Sequence, residues 1–148
     1  LFRVALSDAP EVNLINEIKV TKQYLEIEKI RFGDRLNVQW QLPEIIPDIQ
    51  MPSLSLQPLV ENAIKYGVSQ IEKGDDISIS VKCIDNQVII QIRNAYIQAI
   101  NNEQTSGHKI GVMSTKTRIS LMSDGQNKLT TYIKDNQFIA EICIKKSV

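Results

Sequence analysis

Leu56-Gln57-Pro58-Leu59-Val60-Glu61-Asn62-Ala63-Ile64-Lys65-Tyr66-Gly67 joins a clean apolar period to a cluster of reactive groups. Leu56, Leu59, Val60, Ala63 and Ile64 recur at i, i+3, i+4, i+7 and i+8, the stripe of an amphipathic helix. The spacing predicts a helix over about 53–66, closed by Gly67. At about 100° per residue, Glu61, Asn62, Lys65 and Tyr66 are expected on the other side. A carboxylate, an amide, an ammonium and a phenol then stand together on a helix backed by core. The same spacing also describes a solvated face with a Glu61–Lys65 pair, worth a few tenths of a kcal/mol. Position alone does not choose between the two.

Upstream, Leu1–Leu6 has the look of the last turns of a helix, broken by Ser7-Asp8-Ala9-Pro10. Asn13 is placed to cap a second helix that runs to about Phe32. Leu14, Ile18 and Leu25 share its core face, with Val20, Tyr24 and Ile27 widening it, and Gly33-Asp34 ends it. Leu36 to Leu42 alternates apolar and polar, which predicts a strand. Three prolines at 43, 47 and 52 then mark an irregular connection. Downstream of a polar loop over 69–75, Ile77, Ile79, Val81 and Cys83 alternate with polar residues. Asp85-Asn86 turns the chain, and Val88, Ile90 and Ile92 return. Residues 95–106 have few apolar anchors and are expected to form a long functional loop. A third helix is expected over about 111–123, followed by a hairpin that turns at Asp135-Asn136. The order predicts an α+β fold: a two-layer sandwich with a mixed, mostly antiparallel sheet and helices on one face.

The chain has 148 residues, 43% hydrophobic and 23% charged, the size and balance of one globular domain. Seventeen basic residues balance seventeen acidic ones. The lack of a basic excess argues against direct nucleic-acid binding but leaves room for a local basic pocket. Cys83 and Cys143, in strand-like runs, are expected as small core residues. With His108 as the sole histidine, they cannot supply a four-ligand zinc set. No apolar run approaches a membrane span. The opening without Met is expected of a piece of a longer protein.

A second segment, Gly107-His108-Lys109-Ile110-Gly111-Val112-Met113-Ser114, places two glycines at the expected start of a helix. There the backbone can approach a ligand closely, and the helix dipole favours phosphate. A plain helix entry fits the same residues.

Together these segments resemble the ATP-binding catalytic domain of LytS-type sensor histidine kinases. Within that family the branch containing the alginate-biosynthesis sensor is the most similar. Tyr24-Leu25-Glu26-Ile27-Glu28-Lys29-Ile30-Arg31-Phe32-Gly33-Asp34-Arg35-Leu36 is similar to the family's helix signature. Leu54–Gly67 resembles its N box, and Gly107–Arg118 its second glycine box and following helix. The resemblance implies the histidine kinase, gyrase and chaperone ATPase fold. It also implies a division into residues 1–12, the tail of an upstream phosphoacceptor and dimerisation region, and residues 13–148, the catalytic domain.

The resemblance further implies roles. Asn62 would hold Mg²⁺ against the ATP phosphates, and Glu61 would orient or deprotonate the attacking group. Lys65 would neutralise phosphate charge, and Tyr66 would lie near the base or ribose. Asn94 stands where the first glycine box has the aspartate that accepts the adenine amino group, and Tyr96 replaces a glycine there. Gly107, Lys109 and Gly111 would form the second box, with Lys109 in place of a glycine and Ser114 where Asn is common. Residues 95–109 would be a lid over ATP. His108 is expected to be a loop residue beside the nucleotide, and Trp40 a packing residue.

The implied activity is protein histidine kinase: transfer of the ATP γ-phosphoryl to a histidine outside these residues, and onward to a response regulator. A homodimer in the full-length protein and a cytoplasmic placement below an inner-membrane anchor go with it. The altered glycine boxes leave a non-catalytic regulatory interaction module as the alternative, and a gyrase- or chaperone-like ATPase as a third.

Overall fold

The computed structural model describes residues 10–68, 71–96, 105–122 and 127–146, with backbone alone for 105–112 and Met122. The expected helix at Leu1–Leu6 lies outside these residues. A short strand β1 (Glu11–Asn13) leads into helix α1 (Leu14–Phe32), a 3₁₀ turn (Gly33–Arg35) and strand β2 (Leu36–Gln41). Strand β3 (Gln50–Pro52) precedes helix α2 (Leu56–Ala63), which continues as a π turn over Ile64–Val68. Then come β4 (Asp75–Ile84), β5 (Gln87–Ala95), α3 (Thr105–Met122), β6 (Lys128–Lys134) and β7 (Gln137–Lys145).

Five strands form one sheet in the order β2-β4-β5-β7-β6. β2 runs parallel to β4, from Leu36↔Asp75 to Gln41↔Ser80, and the other neighbours are antiparallel. The expected α+β sandwich is therefore present. Both Asp-Asn turns form: Asp85, Asp135 and Asn136 take positive φ, which short polar side chains tolerate. β1 and β3 make a separate two-stranded ladder that the sequence did not announce.

One face of the sheet carries the core. Ile77, Ile79 and Val81 of β4, Val88, Ile90 and Ile92 of β5, and Ala140, Ile142 and Ile144 of β7 are buried with the helices. Each such valine or isoleucine side chain contributes roughly 1.5–3 kcal/mol of apolar burial. Trp40 packs against this core, as expected.

On α1, Leu14, Ile18 and Leu25 are buried and Tyr24 packs against the core as expected, but the rest of the stripe differs. The helix's buried residues are Leu14, Glu17, Ile18, Thr21 and Leu25. Val20 and Ile27 are 40% and 65% exposed. Two polar residues hold core positions because their hydrogen bonds are satisfied internally: Thr21 Oγ1 donates to Glu17 O at 2.7 Å, and Glu17 accepts from Leu54 N at 2.5 Å. Asn13 precedes α1 as expected, but its side chain accepts from Gln50 Nε2 instead of capping the helix. Gly33 ends α1 at φ +58°, its N–H donating to Lys29 O. Cys83 is exposed and Cys143 half-buried, so neither is the core residue expected: Cys83 lies near the end of β4, and Cys143 points to the sheet face away from the helices.

α3 begins at Thr105, ahead of the expected position. Gly107 and Gly111 therefore lie inside its first turns. A glycine weakens a helix by about 1 kcal/mol without terminating it, and the periodicity around it gave no means of separating the two cases.

Candidate nucleotide-binding site

Leu56, Leu59, Val60 and Ala63 of α2 are buried against the core. That orientation turns Glu61 and Lys65 outward and leaves Asn62 half-buried. Glu61 Oε1 accepts from Gln57 Nε2 at 3.1 Å, one turn earlier. Asn62 Nδ2 is buried and has no hydrogen-bond partner. A buried amide donor left unmatched costs about 1–3 kcal/mol, so it marks a place where a polar ligand group would be favourable.

Tyr66 is not on the polar side. It is 5% exposed, contrary to the expected placement. Seven residues after Leu59 and three after Ala63, it falls at the margin of the apolar stripe, and the wider π turn carries it into the core. Lys65 Nζ lies 5.3 Å from the Tyr66 ring centroid.

Gly67, expected to close the helix, is instead part of the π turn and serves for close approach. A Cβ on it would stand 2.8 Å from Asp75 Oδ2 and 3.0 Å from Asn94 Nδ2. Asn94, 3% exposed, lies on the helix-facing side of β5 and donates through Nδ2 to Ala95 O at 3.0 Å. Asp75 Oδ2 accepts from Ala95 N at 2.8 Å. Burial pushes the Asp75 carboxyl above its ordinary range, against its two backbone hydrogen bonds. The π turn thus meets the N-terminus of β4 and the C-terminus of β5 at one point. Asp75 was missed in the sequence, where it ended a polar loop. Its position at the head of an alternating strand was the available signal.

The α1 signature borders the same face. The Tyr24 phenol is pushed up to about 12, first by burial and then by the carboxylates of Glu28 and Glu61, with Arg31 opposing. Tyr24 and Glu61 are therefore electrostatic neighbours. Tyr96 follows β5, its N–H donating to Asn136 O at 2.9 Å. Gly107, Lys109 and Gly111 have helical backbone, but their side chains, and that of His108, lie outside the described residues. Most of the expected lid, residues 97–104, lies outside them too. Glu61, Asn62 and Lys65 thus share α2 and its π turn, the turn meets Asn94 at Gly67, and the residues expected as the second glycine box lie on α3, which packs on α2.

Residues 1–36 match a family profile described as histidine kinase. The chain is 31% identical over 128 residues to the sensor histidine kinase YpdA of Escherichia coli (strain K12), covering 82% of this chain and 22% of YpdA. It is 32% identical over 82 residues to the sensor histidine kinase/phosphatase LytS of Staphylococcus aureus (strain Mu50), covering 54% of this chain and 14% of LytS. The catalytic domain of histidine kinase ThkA superposes with a TM-score of 0.68 at 14% identity, over 94% of this chain and 98% of that one. ThkA in complex with the response regulator TrrA superposes at 0.61 and 17% identity, over 93% of this chain and 42% of that one. The fold is therefore that of histidine kinase catalytic domains. By sequence the chain is similar to sensor histidine kinases, LytS among them, and it spans under a quarter of the length of these two relatives.

Proposed function

We propose that this chain is the ATP-binding catalytic domain of a two-component sensor histidine kinase. It serves transfer of the ATP γ-phosphoryl to a histidine outside these residues and onward to a response regulator. The observation that carries the proposal is the Glu61–Asn62 pair on α2, with the Asn62 amide nitrogen buried and unmatched one turn from the Gly67–Asp75–Asn94 junction. Those residues fit a nucleotide and its cation. Among the described residues no three His, Cys, Asp or Glu side chains converge on a metal position. A magnesium ion would be held by the Asn62 amide oxygen, the phosphates and water, a set that suits its oxygen preference. Bound there, Mg²⁺ neutralises charge developing on the phosphates.

The chain's own groups do the rest by positioning. Glu61 orients, or takes a proton from, the attacking group. Lys65 balances phosphate charge. Asn94 commits Nδ2 to Ala95 O, which leaves Oδ1 to accept the amino group of a purine. Gly107, Lys109 and Gly111, at the start of α3, are the proposed phosphate side of the pocket. Tyr66, being buried, would support the pocket wall. The proposed division keeps residues 1–12 as the tail of an upstream phosphoacceptor and dimerisation region and residues 13–148 as the catalytic domain. A response regulator as partner is supported by the ThkA–TrrA complex. A homodimer and a cytoplasmic position below a membrane anchor complete the proposal. Among the described residues no helix is long and apolar enough to cross a membrane.

Calorimetric titration with ATP or ADP, with and without Mg²⁺, tests this. Saturable binding that Mg²⁺ strengthens is expected. Asn62→Ala should lose at least tenfold in Mg²⁺-dependent affinity, about 1.4 kcal/mol, with an unchanged circular dichroism spectrum. Normal binding by that variant would refute the metal assignment. No binding at millimolar nucleotide by the folded domain would turn the conclusion toward an interaction module.

A further inference from the structure

The sheet face turned away from the helices holds a polar recess of about 320 Å³. It lies over β2, β4 and the end of β5, and no apolar side chain lines it. Arg93 and Asn94 are successive residues of β5, so their side chains project to opposite faces. The recess therefore has Arg93 where the proposed nucleotide site has Asn94.

The Arg93 guanidinium is held in place from behind. Its Nε and Nη2 donate to Gln91 Oε1 at 3.1 and 2.5 Å. Gln91 Nε2 donates in turn to Glu141 Oε1 at 2.5 Å and to the Tyr132 hydroxyl at 3.2 Å, and that hydroxyl donates to Glu141 Oε1 at 3.1 Å. Three side chains on three strands thus fix one guanidinium. A guanidinium has five N–H donors, and these bonds use two. Arg93 and Lys82 make no ion pair among the described residues. Ser80, between them on β4, is 6% exposed, and its hydroxyl lines the recess without a hydrogen bond among the described residues. Ser78, directly opposite Arg93 in the ladder, adds a second hydroxyl.

We propose that this recess binds a small oxyanion, a phosphate monoester or a carboxylate, on Arg93, Lys82 and the Ser78 and Ser80 hydroxyls. A fixed guanidinium binds such groups through parallel charge-assisted hydrogen bonds, and the ordering cost is already met by the Gln91 network. Asp76, the one acidic residue of the lining, would meet a hydroxyl or ammonium on the same ligand and repel a second anionic group. The ligand class is therefore a hydroxylated or aminated monoanion or dianion with one anionic end.

The test is an NMR titration of the 148-residue chain with glycerol 3-phosphate, glycerate, inorganic phosphate and glycerol. Saturable millimolar shifts at the Arg93 Nε–H and the Ser78 and Ser80 amides are expected with an oxyanion and not with glycerol. The first two probes separate phosphate from carboxylate. Arg93→Gln should weaken binding at least tenfold and Ser80→Ala severalfold, whereas Asn62→Ala should bind as the wild type does. If Arg93→Gln melts early, Lys82→Met and Ser80→Ala carry the same test, since neither touches the Gln91 network. No shift on this face at 50 mM probe, shifts confined to α2 and the π turn, or full affinity in the folded variants would overturn the proposal.

Discussion

Gly74 shows how little room one residue can have. Its φ is +84°, and a Cβ placed on it would lie 1.9 Å from the Arg35 carbonyl oxygen. That oxygen is backbone and cannot rotate away. Arg35 in turn donates from Nη2 to Val68 O at 2.8 Å and Ile71 O at 3.0 Å, tying the end of the π turn to the 3₁₀ turn. Gly74→Ala should therefore cost more than about 3 kcal/mol, well beyond an ordinary surface change. Urea denaturation checks it, and a loss under 1 kcal/mol would mean that the Arg35 backbone yields. At this scale the sequence was partly legible. Glu61, Asn62 and Lys65 were oriented correctly, because the stripe that positions them is buried on one side. Tyr66 was not, because a residue at the stripe's margin is decided by the local turn type. Asp75 and Gly67 could not be paired from sequence, since their contact depends on where β4 starts relative to a π turn.

Among the elements, the junction of α1, α2 and α3 has an unusual fastening. Glu17, 3% exposed on α1, accepts from Leu54 N at 2.5 Å and lies 3.5 Å from Leu56 N, at the entry to α2. Arg118 of α3 donates to the carbonyls of Ser53 and Leu54 at 2.8 and 2.9 Å. Leu54 between them has φ +60°, a strained value for leucine that both neighbours help to hold. Glu17→Ala should cost about 1–3 kcal/mol by leaving the Leu54 N–H unmatched. Burial is the largest influence on the Glu17 carboxyl and pushes it above its ordinary value of 4.5, with the backbone N–H groups and Arg118 opposing. The folded chain then holds that proton more tightly than the unfolded chain. The resulting stability is fully present below about pH 4.5 and lost as pH rises through the higher folded value. Relative to Glu17→Gln, the wild type should thus lose stability between pH 4 and pH 8, measured by denaturation at each pH. A constant gap would refute the assignment. α1 was legible as a helix, and so were Leu14, Ile18 and Leu25 of its core face; Glu17 was not, because periodicity counts apolar residues and cannot credit a carboxylate whose acceptors are used 37 residues away. The β1–β3 ladder was hidden for a similar reason, with three residues on each side and no alternation to read.

In the whole molecule, β2 and β4 are parallel neighbours, and α2 lies in the connection between them. The helix with the proposed catalytic groups is thereby laid across the sheet by a crossover, close to the ends of β4 and β5. The class of this arrangement was legible because the helices and the strands of the five-stranded sheet announce themselves locally. The sheet order was not, since pairing across residues 42–74 leaves no local pattern. That order also sets which strands open first. β5 is bonded along both edges, to β4 and to β7, whereas β2 and β6 each have one neighbour. Hydrogen exchange should be slowest at the β5 amides from Val88 to Arg93 and fastest at the outward amides of β2 and β6, as measured by exchange-detected NMR. Equal protection in β2 and β5 would argue against this order. Asn94 and Arg93 ride on the strand that exposes its amides only when the sheet itself comes apart. Both faces of that strand are then as long-lived as the fold, and ligand exchange at the proposed sites on either side would proceed without waiting for local unfolding.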